Sequence, residues 1–222
     1  MQDIVITWGI SLALLLGALA LVWPLLRRRI ERQRMEKRIA AVGVAQLRNV
    51  LLDDGMGGQS FYERLLLTPN GILVLVSNLR NGIIFGGERM DTWAQVLGKR
   101  TIRFANPLYS MEGLLSTLRY HLPKVVLEGH VLFVGNCSFP KGKPQGVWSL
   151  DELAEAGQEK VQPAVVPVLK QAWEEIDQRA RKIDPGSEGY LLPVQEETSW
   201  LRGGLALLLL SAALAWPLWR LL

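Results

Sequence analysis

The sequence predicts an α/β protein: a mixed sheet flanked by helices, with a transmembrane helix at each end of the chain. Three observations lead there. Residues 4–26 and 203–219 carry no charged side chain. Between them, short runs rich in Leu, Ile and Val alternate with turn signals such as Asn70-Gly71 and Asn81-Gly82, the punctuation expected of strands. Two stretches with helical apolar spacing, residues 108–122 and 169–183, interrupt these runs, as in a layered α/β domain. The resulting division is residues 1–29, a first transmembrane helix with a basic flank; 30–160, the α/β domain; 161–200, an acidic helix and linker; and 201–222, a second transmembrane helix.

The first apolar run is longer than the ~20 helical residues a bilayer core requires. It begins Met-Gln-Asp, and its cations follow it as Arg27, Arg28 and Arg29, so it reads as a retained anchor and not as a cleaved leader. Residues 27–48 hold eight Lys/Arg against two acids. The positive-inside rule then places the middle of the chain in the cytoplasm and the N-terminus outward, in a bacterial inner membrane with the lipid bilayer as partner.

Residues 30–52 read as a helix leaving the membrane, with Ile39, Val42, Leu47, Val50 and Leu51 as its stripe. Residues 53–59 are turn chemistry. Residues 61–67 form a strand containing Glu63, and Thr68-Pro69-Asn70-Gly71 turns it into an apolar strand over 72–77. Residues 83–85 continue the sheet, and 93–96 and 101–104 supply further short strands. Asn106 caps a helix that starts at Pro107, a placement both residues favour. Leu108, Met111, Leu115, Leu118 and Leu122 form its apolar face, and Pro123 stops it. Residues 131–134 are a buried strand, and Ser149 caps a short acidic helix. From Pro167 a longer helix shows Leu169, Trp173, Ile176, Ala180 and Ile183 on one side, with Glu175–Arg179 and Asp177–Arg181 at i,i+4. Asp184-Pro185-Gly186 ends it.

The formal charge of +4 is unevenly spread. Residues 64–143 carry ten basic and four acidic residues, while residues 151–202 carry six and eleven. A dedicated nucleic-acid domain shows a basic excess throughout, which this chain lacks. A single cysteine, Cys137, excludes an internal disulfide; with His121 and His130 as the sole histidines, it argues against a zinc site.

Several landmarks together resemble the nuclease-related domain (NERD) family. They are Leu65-Leu66-Leu67, Thr68-Pro69-Asn70-Gly71, Gly82-Ile83-Ile84-Phe85-Gly86, Trp93, Arg103-Phe104-Ala105-Asn106-Pro107-Leu108 and Val131-Leu132-Phe133-Val134-Gly135. The resemblance implies a restriction-endonuclease-like fold. It also implies a magnesium site built from a strand acid and a following acid-x-Lys pair, in which the metal polarises the phosphodiester.

The chemical residues depart from that pattern. The helix glutamate falls at Val44, the acid of the acid-x-Lys pair at Val76, its lysine at Asn78, and the glutamine after the Asn-Pro string at Ser110. The first strand acid falls at Glu63, followed by Arg64, and alone keeps a carboxylate. The resemblance therefore implies a pseudoenzyme: a cytosolic binding or assembly module with no cofactor and no metal, Mg²⁺ entering only if the chain is active. One alternative is an active nuclease with a relocated site at Glu63, Glu88 and Asp91. Another is a structural subunit acting through its membrane helices. Arg64, Arg80, Arg89, Lys99, Arg100 and Arg103 are candidates for holding a nucleic-acid backbone or another anion. A protein partner or a second copy of the chain is the other expected partner.

Overall fold

The structure is a computed structural model, and it describes residues 2–158, 165–183, 204, 205, 208 and 211. The chain divides into two units, one of Met1–Met35 with Leu192–Leu222 and one of Glu36–Leu191. The described elements are α1 (Gln2–Ala40), β1 (Ala45–Asp53), β2 (Gln59–Thr68), β3 (Gly71–Asn78), β4 (Gly82–Phe85), β5 (Thr92–Leu97), β6 (Arg100–Ala105), α2 (Pro107–His121), β7 (Leu127–Phe133), β8 (Cys137–Ser138), β9 (Val147–Ser149), α3 (Leu150–Gln158), α4 (Pro167–Arg179) and β10 (Arg181–Lys182).

Two corrections to the expected architecture follow. Instead of one mixed sheet there are two, ordered β10-β1-β2-β3-β7-β9 and β6-β5-β4-β8. And among the described residues, no helix is long and apolar enough to cross a membrane. Helix α1 continues unbroken through the arginine-rich segment to Ala40. The two transmembrane helices, the inner-membrane location and the outward N-terminus are therefore not supported. Most of the second expected span, 201–222, lies outside the described residues.

The larger sheet forms because β1, β2 and β3 are an antiparallel meander and α2 carries the chain back to lay β7 parallel to β3, Ile72 opposite Leu127 and Asn78 opposite Phe133. Helix α2 starts as its sequence dictates. Pro107 lacks the N–H that would go unused there, and the Asn106 side chain accepts from the Leu108 amide at 2.9 Å. Its Met111 and Leu118, with Leu169, Trp173 and Ile176 of α4, pack on Leu47, Val50, Leu65, Leu67, Val74 and Val131 to form the core. Tyr62 is buried in this core and donates to the Leu114 carbonyl at 2.9 Å, with burial pushing its phenol up to about 12. Helix α3 begins with a reciprocal cap: the Ser149 amide donates to Glu152 at 2.8 Å, and the Glu152 amide returns to the Ser149 hydroxyl at 3.4 Å.

The segment expected as a helix over 30–52 is instead the end of α1 followed by β1. The cause is Asn49, which sits at φ 50° in the left-handed region that asparagine tolerates. The left-handed step shifts the pleat. Leu47 and then Val50 and Leu52 face the same core, and on the facing strand Tyr62 and then Leu65 and Leu67 do so. A spacing of three replaces the period of two and imitates a helix. Helix α4 also stops earlier than expected, at Arg179. Its Glu175–Arg179 pair forms at 2.7 Å, and Asp177 lies 3.5 Å from Lys182.

The smaller sheet continues the larger one. The parallel pair β3/β7 passes through two short junctions and becomes the parallel pair β4/β8. The Val134 amide donates to Asn78 at 3.0 Å and the Gly82 amide to Asn136 at 2.8 Å. At Gly135 any Cβ would collide with the Arg80 carbonyl, so only glycine lets the junctions touch.

Candidate functional site

Three places in the Glu36–Leu191 unit gather polar chemistry. The first is the end of β3, where the resemblance would put the metal. Strand β2 pairs with β3 as far as Arg64 opposite Leu75 and then diverges. Glu63 fills the gap: its Oε2 accepts the Ser77 amide at 2.6 Å, and the residue is buried to 9% exposure. Val76 packs half-buried against the core, and Asn78 gives its carbonyl to Val134. Val44 is exposed and bonds Leu67 through its amide at 2.7 Å, four positions along β2 from Glu63 and so ~13 Å away. Ser110 is exposed on α2. Glu88 accepts the Gln145 amide at 3.0 Å, and Asp91 lies beside Tyr109, whose phenol is raised first by desolvation and then by that carboxylate. Among the described residues no three of His, Cys, Asp and Glu stand close enough to hold a metal ion, so Glu63, Glu88 and Asp91 are not gathered.

Arg64 leaves the candidate anion-binding set. It is 4% exposed and forks onto Glu36, with both nitrogens 2.9 Å from the two carboxylate oxygens. Arg48 reaches the same carboxylate at 3.1 Å. Glu36 is the residue that sequence reasoning missed. Its one signal was an acid placed within a run of cations.

The second place is the smaller sheet. Cross-strand register puts Ile84, Gln95 and Ile102 on one face, with Trp93 and Phe104 beside them. Arg80 lies on that face, its guanidinium 3.6 Å from the Phe104 ring centre, and donates to Gln95 at 2.9 Å. Gln95 in turn donates to the Asn81 carbonyl at 2.7 Å. Burial lowers the Arg80 pKa, and its Nε has no partner among the described residues. Arg100 shares this face by register, Arg103 lies on the opposite face, and Lys99 sits in the β5–β6 turn. Arg89 is exposed in the loop between β4 and β5. The sheet therefore places Arg80 and Arg100 on one face, and does not gather all six candidates.

The third place is an open cleft of about 580 Å³ at the carboxyl ends of the parallel strands β7 and β9, where open α/β sheets accommodate ligands. Arg38, Cys137, Lys143, Trp148 and Asp151 line it. Its charges are already matched: Arg38 with Asp151 at 3.4 Å, and Lys143 with Glu152. Burial alone would raise the Glu152 pKa, but the bonds from Lys143 and Ser149 outweigh it and hold the carboxyl low. Burial pushes the Cys137 thiol up, away from the nucleophilic thiolate. Behind the cleft wall His130 stacks on Trp148, ring centres 3.7 Å apart and planes 12° from parallel, with its Nδ1 buried and without a partner among the described residues.

Compared with protein-family models, curated proteins and solved structures, the chain matches none.

Proposed function

We propose that the Glu36–Leu191 unit is a nuclease-related scaffold that acts as a binding or assembly module and does not hydrolyse phosphodiesters. One observation carries this reading. The sole carboxylate left at the expected catalytic positions, Glu63, is spent on the Ser77 amide, and Val76 and Asn78 stand where the second acid and the lysine would be. A hard divalent cation needs several oxygen ligands, and Mg²⁺ chemistry at this point would have one side chain to draw on. An apolar Val76 also suits its half-buried position, where a carboxylate without a metal or cation would be costly.

The test is an assay of the purified full chain on linear and circular DNA and on RNA, with Mg²⁺ and with Mn²⁺. No cleavage is expected in any combination. Metal-dependent cleavage that disappears in Glu63→Ala would overturn the proposal.

A further inference from the structure

Among the described residues, no strand pairs with the β6 edge of the smaller sheet. The β5–β6 hairpin closes on Leu97 and Arg100 around Gly98 and Lys99, with Gly98 at φ 59°. In such a two-residue hairpin the closing pair exchanges its backbone bonds inward, and alternation then turns the N–H and C=O groups of Thr101 and Arg103 to the outer edge. Neither residue has another backbone partner among the described residues. Every β6 residue except Phe104 is exposed, including Ile102 at 45%. No proline or bulge blunts the strand, two of the usual defences of an edge.

What the edge does carry is charge of one sign. Lys99, Arg100 and Arg103 lie on or beside it, and residues 92–110 contain no acid. A second copy of the chain pairing here would bring two such sets together, which disfavours self-association. A phosphate backbone would answer the cations, yet it offers no donors and would leave the Thr101 and Arg103 carbonyls desolvated and unmatched. An extended polypeptide satisfies donors and acceptors alike, and carboxylates on alternate positions would share one face of the added strand and meet Arg103, which register places on that side of β6.

We propose that β6 is a docking strand for an extended acidic segment of a partner protein, added antiparallel or parallel at this edge. The inference is independent of whether Glu63 is catalytic. Its test uses the full chain and a short fluorescent peptide alternating Glu and Val, read by anisotropy. Binding is expected, and it should weaken as salt rises. A peptide with Lys for Glu, or with Pro at its centre, should not bind.

Two variants probe separate terms. Arg103→Glu reverses an exposed charge. Thr101→Pro removes an outward N–H that the β5 ladder does not use, so the sheet keeps its internal bonds. Each should weaken the acidic peptide by about tenfold or more, with far-UV circular dichroism unchanged. No binding of the acidic peptide would overturn the proposal, as would full binding by a folded Thr101→Pro. So would tighter binding of a single-stranded oligonucleotide, or concentration-dependent dimers in light scattering.

Discussion

The Ser77 amide donates to the Glu63 carboxylate at 2.6 Å, at the point where β2 parts from β3. The bond extends the β3 ladder with a side chain in place of a strand, and it gives Glu63 a structural task independent of any metal.

Glu63→Ala should therefore destabilise the fold by about 1–3 kcal/mol, the cost of a part-buried N–H left without an acceptor. Glu63→Gln keeps an acceptor oxygen and should lose less. Urea denaturation of the two variants checks the order. Equal losses would show that charge, and not the acceptor, is what matters there.

The Arg64–Glu36 fork should respond asymmetrically. Glu36→Ala strands a guanidinium that is 4% exposed, and a buried charge deprived of its partner costs about 3–5 kcal/mol. Arg64→Met removes the buried charge and leaves Glu36, one-quarter exposed, still beside Arg48. Its loss should be clearly smaller. Denaturant midpoints for both single variants and the double variant give the ranking and the coupling between them.

His130 should give the fold an acid-sensitive limb. Burial holds its pKa below the ordinary 6.5, although Glu128 on its own strand and Glu152 on α3 pull the other way. As pH falls through 6.5 the unfolded chain takes up this proton first, so stability declines until the pH passes the folded value. His130→Phe retains a ring on Trp148 and should flatten that limb. Denaturation midpoints at pH 7.5 and 5.5 compare the slopes, and an unchanged slope would remove His130 as the cause.

Signals confined to a few adjacent residues were legible in the sequence. The Asn106-Pro107 start, the Ser149 cap and the Thr68–Gly71 turn are each set by neighbours within a turn of chain, and each formed as read. The strand of residues 45–53 was misread because one left-handed residue, Asn49, converted its period from two to three. The role of Glu36 was missed for a different reason. Its partner Arg64 lies 28 positions away, and nothing in the local pattern links them. The same holds for Glu63. Its residue type suggested a surviving metal ligand, and its actual partner, a backbone amide, has no sequence signature at all. The second sheet was hidden because its strands of two to six residues give little period to detect.

The joint between β3 and β7 also bears on the order in which the protein is built. Strands β1, β2 and β3 meet through neighbouring turns, but Ile72 finds Leu127 only after the intervening small-sheet hairpins and α2 have been drawn in. Closing so long a loop costs entropy before any contact rewards it. The meander should therefore assemble early and the β3–β7 seam late. Until that seam closes, the apolar run Ile72–Val76 remains an open edge, which makes the seam the step at which a nascent chain is most exposed to aggregation.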